Sequence, residues 1–122
     1  MLIRTPAIVC SVRPHGEHGA IIRVMTEDHG LAAAYVAGAR GRELRPVLIP
    51  GNLVAIEVRA RASSQLPSAR VELLSSRGPW LSEPLASAGI GWACALTAST
   101  LPEGHPYPVL HDSLAALLDA IC

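Results

Sequence analysis

The sequence predicts an all-β small barrel of five antiparallel strands followed by an α-helical appendage. Short apolar runs with two-residue alternation recur between turn residues as far as Ser75, with no helical crossover among them. Beyond Ser82 the apolar spacing lengthens to that of a helix. Half of the 122 residues are hydrophobic, yet there are only two Trp, two Tyr and no Phe, so the core must be built from Leu, Ile, Val and Ala. A chain of this length buries well over half of its unfolded surface and needs no staple.

The elements follow in order. Residues 6–13, PAIVCSVR, read as a strand with Ile8, Cys10 and Val12 on one face. PHGEHG at 14–19 is a turn, and AIIRVMT at 20–26 sets Ala20, Ile22 and Val24 against Ile21, Arg23 and Met25. EDHG at 27–30 is a tight connection in which Gly30 can supply a positive φ. LAAAYVA at 31–37 is the third strand, although its alanines are also helix formers. In NLVAIEVRA at 52–60 the alternation is clearest, with Val54, Ile56, Val58 and Ala60 facing one way and Glu57 and Arg59 the other. SSQLPS at 63–68 is a loop and ARVELLS at 69–75 the fifth strand. Closure into a barrel is preferred because it removes exposed strand edges.

A first helix is expected from Ser82 as N-cap, with Pro84 tolerated in the first turn and Leu85, Gly89, Trp92 and Leu96 on one stripe. Gly89 and Gly91 weaken it but let another element come close. Pro102 stops it, and a second helix runs from about Val109 with Leu110, Leu114, Leu117, Leu118 and Ile121 on one face. That stripe is still running at Cys122 and needs a cover, which is expected from the first helix, from a second copy by self-association through this helix, or from further helices. The expected division is a barrel over residues 1–78 and a partial helical domain over 79–122.

The zero net charge conceals an asymmetry. Residues 1–77 hold all ten basic residues, every one an arginine, against six acids, whereas 78–122 hold four acids and no base. Either the first part binds an anion, or the two halves attract each other. Much of the positive charge lies in YVAGARGRELRPVLIPGN at 35–52, where Arg40, Arg42 and Arg45 stand among glycines. Guanidinium groups bind phosphate bidentately and glycines let backbone approach a ligand. In an extended loop Arg40 and Arg42 project to the same side. This stretch is therefore read as a phosphate-tracking element. The competing reading has Glu43 and the acidic second half neutralising it.

In these residues the chain resembles the N-terminal domain of RecO, the bacterial DNA repair and recombination mediator. Four features match in order: RPHGE at 13–17, TEDHG at 26–30, AGARGR at 37–42 and LRPVLIPG at 44–51 before a strong strand. EPLASAG from Glu83 and the PYP before the second helix are similar to the start of the family's helical domain. The resemblance implies an OB-fold followed by helices, with binding of single- and double-stranded DNA and annealing of complementary strands. It also implies loading of RecA together with RecR and single-stranded-DNA-binding protein, with no cofactor-driven chemistry. The family is usually close to twice this length, and the four-cysteine zinc site of some members finds no counterpart in Cys10, Cys94 and Cys122.

Arg13, Arg59 and Arg61, on or beside strands, are expected to flank a barrel groove and join Arg40, Arg42 and Arg45 as DNA-binding residues; Arg23 is placed beside them. Each also reads as an ordinary solvated strand position, and Arg59 with Glu57 as an exposed ion pair. Only Tyr35 supplies an aromatic within the barrel, so recognition is expected to follow the backbone rather than base faces, with steep salt sensitivity. His15, His18 and His29 lack metal-ligand spacing, and Cys10 is expected in the core. No GxSxG elbow is present, and the lack of lysine removes the phosphate-loop motif, which argues against an enzyme. No signal peptide opens the chain and no apolar run approaches the roughly 18 residues of a membrane span, so a cytoplasmic, nucleoid-associated protein is expected. The alternative function is an adaptor whose arginine face docks on an acidic partner protein.

Overall fold

The computed structural model describes residues 2–59, 66–103 and 106–122. Its strands are β1 (Leu2–His15), β2 (Gly19–Thr26), β3 (Leu31–Val36), β4 (Leu53–Arg59) and β5 (Ser68–Ser75). They close into a barrel in the order β1-β2-β3-β5-β4, with β4 returning to β1. The expected five-stranded barrel is the fold. Four of its pairings are antiparallel, and the fifth, β3 to β5 through Tyr35 and Ser68, is parallel.

The first strand is longer than expected because it serves two neighbours. Leu2–Ile8 pair with β4, and Ala7–His15 pair with β2. Pro6 lies where β1 has β4 alone beside it, an edge-like place where a missing N–H is tolerated. Ile8, Cys10 and Val12 do not share a face as the alternation suggested. The β1–β2 register shifts between Val9 and Ser11, so Cys10 is an extra residue. Before the bulge, Ala7 and Val9 point into the barrel while Ile8 and Cys10 point toward the helices; after it, Val12 points into the barrel.

Two apolar clusters result, with β1 as their common wall. The barrel interior holds Ala20, Ile22, Val24, Ala34, Val36, Val54, Ile56, Val58 and Ala69, as the alternation of β2 and β4 required; Ala60 lies outside the described residues. The second cluster joins Ile8, Cys10, Met25 and Leu31 of the barrel to Ile90, Ala93, Cys94 and Ala98 and to Leu114 and Leu118. Cys10 is buried there as expected, and its thiol is held well above the usual range by its hydrogen bond with Cys94 and by burial. Gly30 takes φ +69°, closing the β2–β3 turn in which Thr26 Oγ1 donates to the Gly30 carbonyl at 2.7 Å.

A short 3-10 turn (Gly78–Ser82) leads into α1 (Pro84–Thr100) and then α2 (Pro108–Ile121). Glu83, not Ser82, occupies the N-cap position of α1, because Ser82 Oγ turns back to the Pro79 carbonyl. The large residues of the stripe that helical spacing picked out on α1 stand exposed, with Leu85 88% and Trp92 64% accessible. The helix instead lays Ile90 on the barrel together with Ala93, Cys94 and Ala98, whose small side chains let its backbone approach the sheet. Gly89 does admit a close neighbour, since a Cβ there would stand 3.2 Å from Ile121 Cδ1 of α2. On α2 the expected face divides: Leu114 and Leu118 are buried, while Leu110 and Leu117 remain open.

Candidate nucleic-acid interface

The segment from Ala37 to Asn52 is a compact plug on the barrel, not an extended loop. Its amides need partners, and several find them within the segment: Arg45 N donates to the Gly41 carbonyl at 3.0 Å and Leu48 N to that of Leu44 at 2.9 Å, while Gly51 N ties the segment to the Val9 carbonyl at 2.8 Å. Ala39 and Leu48 are buried against the barrel core, with Leu44 and Val47 packed beside them. Buried Asn52 fastens the end of the plug. Its Nδ2 donates to the Pro46 and Val47 carbonyls at 3.2 and 3.1 Å, and its Oδ1 accepts the Arg77 amide at 2.8 Å. Sequence reasoning missed Asn52, whose only signal is a polar residue opening an apolar strand.

The three arginines of the plug are therefore held by turns, and the expectation that Arg40 and Arg42 project together from an extended chain does not survive. Arg40 is half-buried. Its amide donates to the His18 carbonyl at 3.2 Å and its Nη2 to that of Gly16 at 2.6 Å, which clamps the β1–β2 turn. Arg45 Nη2 donates to the Arg40 carbonyl at 3.0 Å, and Arg42 is exposed. Among the described residues no carboxylate lies within ion-pair distance of any of the three, so Glu43 does not neutralise them.

The other arginines divide by what they touch. Arg4 bonds Glu57 at 3.1 Å, which takes the acid expected for Arg59. Arg23 donates to the Ala98 carbonyl at 2.5 Å and meets Glu103 at 3.2 Å. It is thus anchored to the last turn of α1, where cationic charge is favoured, rather than open to a groove. Arg77 meets Asp119 of α2 at 2.8 Å. The acidic second half therefore does attract the barrel, through Glu103 and Asp119. It leaves Arg13, Arg59 and Arg70, all exposed, without a carboxylate partner among the described residues. Arg70 was missed by sequence reasoning, although its place between inward Ala69 and Val71 marks it as outward-facing. Arg61 lies outside the described residues.

Arg13 and Arg59 belong to one row of the outer face. Register connects Arg13 to Ile21, Ile21 to Tyr35, Tyr35 to Ser68 and Ser68 to Arg59, across all five strands. Side chains paired in this way share a face. His15 meets the Tyr35 ring edge-on, with centroids 5.8 Å apart. Since Arg40 is bonded to the turn that follows His15, the plug and this row adjoin. Among the described residues no three His, Cys, Asp or Glu side chains gather as a metal site, and no helix is long and apolar enough to cross a membrane.

The family model described as recombination protein O N terminal matches residues 1–77. The chain belongs to the RecO family. It is 43% identical over 116 residues to the DNA repair protein RecO of Rhodospirillum centenum, covering 94% of this chain and 46% of that protein. To the DNA repair protein RecO of Ruegeria it is 44% identical over 119 residues, covering 97% of this chain and 49% of the relative. To that of Caulobacter vibrioides it is 42% identical over 114 residues, covering 92% and 46%. The chain thus spans about half the length of the curated RecO relatives it matches. The RecO match also gives the barrel its fold name, since the family's N-terminal domain is an OB-fold.

Proposed function

We propose that this chain is a DNA-binding component of recombinational repair that grips the sugar–phosphate backbone through the arginines of the barrel. The observation that carries this reading is the division of the guanidinium groups. Arg4, Arg23 and Arg77 are neutralised within the chain, whereas Arg13, Arg40, Arg42, Arg45, Arg59 and Arg70 have no carboxylate partner among the described residues. Backbone carbonyls orient Arg40 and Arg45 without cancelling their charge, so a phosphate approaching the plug meets fixed positive groups. Contacts to phosphate position a protein on either strand form and carry little sequence information.

Binding of this kind suits both single- and double-stranded DNA and leaves the base edges open for pairing, as annealing requires. It is a holding function, not a catalytic one. The names of the relatives support a role in DNA repair, and the resemblance alone extends it to a mediator of RecA loading that works with RecR and single-stranded-DNA-binding protein on nucleoid DNA. The barrel over 1–78 is then the DNA-holding unit and 79–122 the base of a helical part.

The double substitution Arg40→Ala with Arg42→Ala tests the reading. Affinity for a single-stranded oligonucleotide and for a duplex of equal length, measured at 50 mM salt, is expected to fall about tenfold or more in both. Unchanged DNA affinity together with lost RecR binding assigns the arginine face to a protein partner instead.

A further inference from the structure

We infer that Tyr35 is a stacking position for one unpaired base of a bound single strand, with Arg59 and Arg70 beside it for the attached phosphate. The inference rests on the reading that the barrel binds nucleic acid and adds to it a means of telling single strand from duplex.

The ring is held in place before any ligand arrives. Tyr35 lies against β2 over Gly19, where any Cβ would run into its Oη, Cε1 and Cζ atoms. His15 props the ring edge-on at an interplanar angle of 76°. An aromatic face fixed in this way loses little freedom when a ring stacks on it. Beside it opens a cavity of about 350 Å³ lined by Tyr35, Ala37, Ser68, Arg59, Arg70 and Glu57, whose carboxylate is already paired with Arg4. An aromatic ring and two guanidinium groups around one opening fit a planar ring that carries a negative charge, which is the chemistry of a nucleotide.

The wider surface extends that site into a path for a chain. With strands about 4.8 Å apart, the row from Arg13 to Arg59 spans about 19 Å across the sheet, with Tyr35 in its middle. Cationic groups therefore flank the aromatic on both sides, as a strand of several phosphates requires and a free nucleotide does not. Bases within a duplex are already stacked and paired and cannot offer a face to Tyr35. The arginines serve both forms, and Tyr35 serves only the unpaired one.

The test compares wild type, Tyr35→Phe and Tyr35→Leu by fluorescence anisotropy on a labelled oligothymidine, an abasic strand of the same length, and a duplex. Leucine still covers Gly19 but has no π face. Tyr35→Leu is expected to lose about 5- to 50-fold on oligothymidine and to stay within about twofold on the duplex, while Tyr35→Phe behaves as wild type. Wild type is expected to bind the abasic strand as weakly as Tyr35→Leu binds oligothymidine. Equal affinity of wild type for abasic and thymidine strands overturns the inference even if the leucine variant fails to fold, and so does an equal loss on duplex. Competition by micromolar thymidine monophosphate overturns the strand assignment in favour of a free nucleotide. A wild type that binds no DNA sinks the underlying reading, whereas wild-type binding that Tyr35→Leu leaves intact on every probe sinks the Tyr35 assignment alone.

Discussion

The barrel and the helical pair are both apolar, but they dispose of their apolar surface differently. In the barrel, β4 returns to β1, so the two edges of the sheet pair with each other and the large side chains Ile22, Ile56 and Val54 are fully enclosed. In the helical pair the buried stripe of α1 is mostly small, Ala93, Cys94 and Ala98 around Ile90, while Leu85, Trp92 and Leu96 stand open. With Leu110 and Leu117 of α2, the residues Trp92 and Leu96 line an open cavity of about 240 Å³. Helical periodicity reveals that a stripe exists but not which of two stripes meets the rest of the chain. Close approach to a sheet favours the small one, whatever its hydrophobicity.

Three substitutions probe this contrast between barrel and helical pair. Ile56→Ala empties a site 1% accessible inside the closed barrel and is expected to lower unfolding free energy by about 3–4 kcal/mol, read from chemical denaturation. A loss under about 1 kcal/mol would mean the barrel interior is loosely filled. Leu118→Asp places an unpaired carboxylate at a position 0% accessible between α2 and the barrel, and a loss of about 2–3 kcal/mol is expected. Because the barrel closes without α2, the far-ultraviolet strand signal should outlast the helical signal in that variant. Leu117→Asp, one residue away on the open side and 43% accessible, is expected to change stability by no more than about 0.5 kcal/mol. If the two aspartates cost the same, the division of α2 into a covered and an open side is wrong.

Much of this was legible in the residues themselves. The alternation in 20–26 and 52–60 states which side chains enter the barrel, and the turn at Gly30 follows from its position between two apolar runs. The Cys10 bulge was not legible, because a single extra residue exchanges the faces of β1 without altering its composition. The arginines of the plug could be picked out by type and crowding. Their ordering could not, since it depends on Ala39 and Leu48 docking into a barrel assembled from distant strands. Tyr35 read as one lone aromatic because its surroundings, Gly19, Ser68 and Arg59, come from three other strands and meet only through register.

Unneutralised guanidinium groups on the barrel are proposed to hold the phosphates of a DNA strand. The salt dependence of single-strand affinity is the measurement that decides this. Four to six engaged arginines call for a log–log slope of about −3 to −4, so that raising salt from about 50 to 200 mM weakens binding about 50- to 300-fold. A slope near zero over that range, with binding intact, would contradict the claim.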